Sequence, residues 1–174
     1  MADGGIGDPI KRKEDFRFLT GSGTYTDDLN RPGQVHLAIV RSPHASANVK
    51  SVNTQEAAKA PLVLGVFTGK DLEADNIGGL PCGWAITQPD GTQMAEPAHP
   101  VLQSERVRHV GDPIAIIIAE TEIAARDAVS LVSVQFEVLK SNTNTEMATH
   151  QNTLQIHEEA KNNICFNWEI GDSQ

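Results

Sequence analysis

Val110-Gly111-Asp112-Pro113-Ile114-Ala115-Ile116-Ile117-Ile118-Ala119 decides the fold. Residues 114–119 form a continuous aliphatic run, the pattern of a strand buried on both faces. Thr121 follows as a fair helix N-cap, and Ala124, Ala128, Leu131 and Val132 then recur at i, i+4, i+7 and i+8. That spacing predicts one apolar face of a helix about three turns long. Val134, Phe136 and Val138 next alternate with Gln135 and Glu137, the period of a half-exposed strand. The order strand, helix, strand is that of a βαβ unit, with a right-handed crossover if the strands are parallel.

Upstream, residues 24–42 are expected to form a β-hairpin turned by Asn30-Arg31-Pro32-Gly33, with the second strand alternating through Val35, Leu37, Ile39 and Arg41. Pro43 ends that strand because it cannot donate to a ladder. Val49 to Val52 reads as a short strand. Thr54 can cap a short helix over 55–59, stopped by Pro61, and residues 63–68 are apolar and β-branched, hence a strand. Gly69-Lys70-Asp71-Leu72 reads as a turn or single helical turn. Residues 73–105 are punctuated by Gly78, Gly79, Pro81, Gly83, Pro89, Gly91, Pro97 and Pro100, and no apolar period survives. A loop of that length is characteristically functional or held by a partner, and packing on a neighbour outside this chain is expected. Residues 140–174 are polar and Asn-rich, with one apolar knot at Ile164, Phe166 and Trp168. The expected class is α+β with a mixed sheet and a few short helices. An N-terminal arm (1–19), a core domain (20–140) and an extended C-terminal segment (141–174) divide it.

Bulk composition narrows the function. Of 174 residues, 39% are hydrophobic and 5% aromatic, so the core is built mainly from Val, Ile, Leu and Ala. Lys plus Arg is 14 against 23 Asp plus Glu, a formal charge of −9 that disfavours nonspecific phosphate binding. The basic run Lys11-Arg12-Lys13 is followed at once by Glu14 and Asp15 and reads as a solvated arm rather than a nucleic-acid patch. No apolar stretch follows the N-terminal charges as a signal peptide requires, and the longest aliphatic run is too short to span a bilayer. Cys82 and Cys165 lie far apart with no metal-ligand spacing; reduced thiols in a cytoplasmic chain are expected, a disulfide being the alternative.

No segment spells out a catalytic constellation. Gly21-x-Gly23 lacks a third glycine, since Thr26 stands there, and leads toward an expected strand, so a turn is favoured over a phosphate cradle. Asp27-Asp28 lacks the further oxygens of a calcium loop, and hydrogen bonding at a turn is favoured over a metal. The six histidines form no HxH or HxxxH pair. His44, rigidified by Pro43, is the one to watch, although a structural hydrogen bond is favoured. Neither cysteine has an adjacent base, and Ser42 lacks a nucleophile-elbow context.

The motifs together carry more than each alone. Ile6-Gly7, Arg12, Glu14-Asp15, Arg17, Leu19-Thr20-Gly21, Gly23, Tyr25 and Asp27-Asp28 come first. Pro32-Gly33, Arg41-Ser42-Pro43-His44-Ala45, Ala47 and Val107-x-x-Val110-Gly111-x-Pro113-x-Ala115 continue the series. Val134-x-Phe136-Glu137-x-Leu139, Asn163-x-Cys165-Phe166 and Gly171-Asp172 complete it. This order resembles the opening of carbon-monoxide-dehydrogenase-type large subunits, in the xanthine dehydrogenase and aldehyde oxidase family. Ser46 stands where many members carry a basic or imidazole side chain, Asp112 where Glu is common, and Lys140 where proline is usual.

The resemblance implies an α/β hammerhead fold. It implies a holoenzyme that oxidises carbon monoxide, an aldehyde or a heteroaromatic compound at a molybdopterin cofactor, with iron–sulfur clusters and FAD in partner subunits. It places the cofactor contacts and the catalytic glutamate in later domains, so no catalytic, cofactor or metal residue is expected here. Gly21, Gly23, Tyr25, Asp27, Asp28, Arg41, Ser42, Pro43, His44, Gly111 and Pro113 are expected as structural or interface positions. The expected partners are the remainder of the large subunit, an iron–sulfur small subunit and a flavin medium subunit, with no nucleic acid. The chain would be a truncation or a naturally split portion, inactive alone. The alternative is a stand-alone interaction or small-ligand module with the same fold.

Overall fold

The computed structural model describes residues 5–7 and 11–171, so Asp172 of the Gly171-Asp172 motif lies outside the described residues. The chain divides into two units, Met1–Gln34 and Val35–Gln174. The first carries α1 (Asp15–Leu19), which buries no residue. Thr20 Oγ1 donates to Phe16 O at 2.8 Å and closes that helix, and Gly21 takes φ +73°. Phe18 stacks on Tyr25 with centroids 5.5 Å apart. A Cβ on Gly23 would lie 2.5 Å from the Phe18 ring, so a larger residue there would displace that ring.

The expected hairpin over 24–42 does not form. Thr26–Asp28 is a single 3-10 turn, and the strand begins only at His36. Asp28 Oδ2 accepts from Tyr25 N at 2.9 Å and Gln34 Oε1 from Arg31 N at 3.1 Å. These local acceptors take up backbone N–H donors that a hairpin ladder would have used.

The second unit holds β1 (His36–Arg41), β2 (Ala47–Asn53), α2 (Gln55–Ala58), β3 (Val63–Thr68) and α3 (Gly69–Ala74). β4 (Arg106–Val107), β5 (Pro113–Ala119), α4 (Glu122–Val129) and β6 (Ser133–Val138) follow. Two three-stranded sheets result, ordered β1-β5-β3 and β4-β2-β6, and every ladder in them is antiparallel. The few short helices and small sheets are those of the α+β hammerhead. The strand–helix–strand run does not make a parallel βαβ unit. α4 instead carries the chain from β5 in one sheet to β6 in the other, where β6 pairs with β2.

β5 is buried on both faces along its first half, as the aliphatic run predicts. Ala115 and Ile117 join Val40, Ala57 and Ala128 in one cluster, while Ile114 joins Ala47 and Val107 in a second. Val134 packs against both and couples them. Thr121 caps α4, its Oγ1 accepting from Ala124 N at 3.2 Å. The buried face of α4 is Ala125 and Ala128, one step round from the expected Ala124, and Leu131 is exposed because the helix ends at Val129. Thr54 does not cap α2; Asn53 Oδ1 takes the Gln55 N–H at 3.0 Å instead. The expected single turn at Gly69 is the six-residue α3, whose N-terminus Asp71 closes by accepting from Thr68 N (2.7 Å) and Thr68 Oγ1 (2.6 Å). Those two bonds hold the Asp71 carboxyl below the usual carboxylate range.

Residues 75–105 are irregular apart from the bridge Thr87↔Gln93. Gln103 N donates to Pro113 O at 2.8 Å, and a Cβ on Gly69 would lie 2.8 Å from Leu102 O. The C-terminal segment holds the middle of the loop: Ala95 N donates to Cys165 O at 2.8 Å and Asn167 N to Gln88 Oε1 at 3.1 Å. Trp84 meets Trp168 edge-on, with centroids 6.3 Å apart.

Two substitutions test this packing by urea unfolding. Ile117, fully buried between the sheet and α4, should lose about 2–5 kcal/mol on Ile117→Ala. Ile123→Ala, at a position 73% exposed, should change stability by no more than about 0.5 kcal/mol.

Candidate functional site

The structure brings together six of the motif residues, Arg41, Ser42, Pro43, His44, Gly111 and Pro113. β1 and β5 slip in register between Val40 and Arg41, which sets Arg41 opposite Pro113. Beyond that shift the two motifs clamp each other through their backbones. Ser42 N donates to Asp112 O, and Gly111 N to Ser42 O, both at 2.8 Å. Arg41 Nη1 adds a bond to Gly111 O at 2.8 Å. Gly111 turns at φ +92°, a conformation in which a side chain would be strained.

Ser42 is 2% exposed, and its hydroxyl turns back on its own loop. It accepts from His44 N at 3.0 Å and donates to His44 O at 3.1 Å. A hydroxyl committed to two backbone groups is a turn-former, not a nucleophile. His44 packs edge-on against Phe136, centroids 4.9 Å apart.

Asp112, at 2% exposure, holds the other side of the clamp. Its Oδ2 accepts from Arg108 N at 2.5 Å and from His109 N at 3.3 Å, while Oδ1 lies 3.2 Å from His109 Nδ1. Burial of a carboxylate is tolerable where converging N–H donors replace its water. The shorter Asp at this position is thereby tied to its own turn.

Gly21, Gly23, Tyr25, Asp27 and Asp28 belong to the first unit, and the last three lie in the turn that the Asp28 carboxylate closes onto Tyr25 N. Asp27 is exposed beside it.

A cavity of about 240 Å³ opens beside Asp112, lined by His99, Gln103, Arg108, His157 and Cys165 among others. His157 comes from nearly fifty residues further along the chain, so no local motif marks it. Its proton affinity is pushed down, first by burial and then by the charge of Arg108. Among the described residues no group of three or more His, Cys, Asp or Glu side chains could hold a metal ion. Cys82 and Cys165 are free thiols, neither placed in such a group. The donor set here does not fit a molybdenum centre, and no chemical step through one is assigned to these residues.

Ser46 is 2% exposed and its hydroxyl has no hydrogen-bond partner, which costs stability without a return in structure. Ser46→Ala should therefore raise unfolding free energy by about 1 kcal/mol in denaturant titration. His157 gives a pH test. Its folded pKa is depressed, so on acidification the unfolded chain binds the proton first. Stability is whole above about pH 6.5 and declines as pH falls through that value. His157→Gln should remove that part of the decline in melting curves taken from pH 7.5 to 5.

Residues 20–140 match the family described as aldehyde oxidase and xanthine dehydrogenase, a/b hammerhead domain. The carbon monoxide dehydrogenase large chain of Afipia carboxidovorans is 32% identical over 98% of this chain and 21% of its own length. The nicotine 6-hydroxylase large subunit of Paenarthrobacter nicotinovorans is 36% identical over 78% of this chain and 16% of its own. The solved structure of the Cu,Mo-CO dehydrogenase in its carbon monoxide reduced state superposes with a TM-score of 0.73 at 31% identity. It covers 92% of this chain and 19% of that one. The chain thus spans about a fifth of the length of these relatives. It belongs to the aldehyde oxidase and xanthine dehydrogenase family, as the α/β hammerhead domain.

Proposed function

We propose that this chain is the hammerhead portion of the large subunit of a molybdenum-dependent oxidoreductase, a scaffold for cofactor-bearing domains and not a catalyst alone. The observation that carries this reading is uncovered apolar surface. In the loop, Ile77, Leu80 and Trp84 are 52%, 58% and 72% exposed; Trp168, which meets Trp84, is 58% exposed, and Ile170, two residues further along, 85%. Paired, exposed tryptophans are the side chains that anchor protein interfaces. The motif residues fit the same role: Arg41, Ser42, Gly111 and Asp112 spend their polar groups on one another or on their own turn.

The partners are then the remainder of the large subunit and, in the assembled enzyme, an iron–sulfur subunit and a flavin subunit. When bound in that enzyme, the molybdenum–pterin group supplies the redox chemistry. The substrate class is the oxidisable carbon of carbon monoxide, an aldehyde or a heteroaromatic ring. We assign the assembly to the cytoplasm, in keeping with two free thiols and with no described helix long and apolar enough to cross a membrane.

Co-expression with the rest of a family large subunit and its two partner subunits tests this. The complex should carry molybdenum and reduce a dye, while neither portion does so alone. Molybdenum near one per chain in the isolated protein, or a chain that stays alone beside its complement, would contradict the proposal.

A further inference from the structure

Among the described residues, two guanidiniums beside the clamp have no carboxylate partner. Arg106 in β4 and Arg108 just beyond it are both half-buried. Among the described residues Arg108 donates to backbone carbonyls alone, Nε to Ile156 O at 3.3 Å and Nη1 to Arg106 O at 3.4 Å. Arg106 Nε is buried without an acceptor. Among the described residues the ion pairs are Lys50–Glu137, Lys59–Glu56, His109–Asp112 and Arg126–Glu122, and neither arginine takes part. Glu105, Glu158 and Glu159 stand exposed around the shared cavity of about 410 Å³, yet none closes onto a guanidinium.

Withdrawing a guanidinium from water is costly unless a counter-charge with matching acceptors replaces that water. The planar fork of arginine matches a carboxylate, which can take two parallel N–H donors. Burial is the first cause of the lowered proton affinity of His157; next comes the charge of Arg108, which outweighs Glu159 acting against it, and Arg106 adds to it.

We propose that Arg106 and Arg108 form a binding site for a carboxylate. The carboxylate is either a free small acid or an Asp or Glu side chain brought by another polypeptide segment. The site stands independently of the scaffold reading, since the unpaired guanidiniums exist in this chain alone.

Sodium malonate is the probe on the whole 174-residue chain, with sodium chloride at matched ionic strength as the control. Malonate should raise the melting temperature saturably, by about 4 °C beyond chloride at ten times its Kd. Arg106→Gln and Arg108→Gln should each abolish that excess. A second reading uses the wild-type chain only. A carboxylate between the arginines offsets their field, so the His157 imidazole titration followed by NMR should move to higher pH in malonate than in chloride. If malonate and chloride act alike on both the wild-type melting temperature and the His157 titration, the site does not exist.

The source is settled by capture of the rest of the large subunit. Competition by malonate means a side-chain ligand, and unimpeded capture with malonate still bound means a free acid. A chain that binds malonate but captures nothing keeps this site and removes the scaffold reading.

Discussion

The buried carboxylate of Asp112 is the constraint from which the rest of the domain follows. By accepting the N–H groups of Arg108 and His109 it folds the chain back between β4 and β5. Gly111, inside that turn at positive φ, then presents its N–H to Ser42 O while Asp112 O receives the Ser42 N–H. These two bonds fix where β1 stops against β5. That register puts Ala115 and Ile117 into one core cluster and Ile114 into the other. An acidic group removed from water thus organises two sheets, because one of its oxygens is taken up by two backbone N–H donors while the other lies beside the His109 ring.

Elements whose stability is local were legible in the sequence. β3 lies at residues 63–68 as read, β5 extends the expected run by only Pro113, and the Thr121 cap sits where a threonine before an apolar period should. Elements defined by their partners were not. β1 was given a hairpin partner, yet its ladder lies more than seventy residues onward at β5. Alternation says which side chains face inward but not which strand lies alongside. The same holds for β6: strand–helix–strand order was readable, while its crossing to a second sheet was decided by pairing with β2.

The candidate site divides along the same line. Ordered motifs pointed to Arg41, Ser42, His44 and Gly111, and the structure explains them as a clamp. His157, Arg106 and Arg108 carried no local signal, because their meeting depends on a C-terminal segment that folds back over β4. The loop over 73–105 was readable as irregular. That Cys165 and Asn167 of the same chain hold its middle was not, since both give only backbone groups to the two bonds, which leave no mark on residue choice at 165 and 167.

What unites clamp, loop and paired tryptophans is a division of labour. Polar groups of the motifs are consumed internally, and apolar groups are left outward. On the proposed reading, a domain built that way serves a larger assembly by shape and adhesion. The most direct test is turnover per bound molybdenum in an assembled holoenzyme carrying Ser42→Ala. The account predicts a lower melting temperature with kcat per molybdenum within about twofold of the unsubstituted enzyme. A folded, fully loaded enzyme whose kcat falls about a hundredfold would contradict it and make the clamp part of the catalytic machinery.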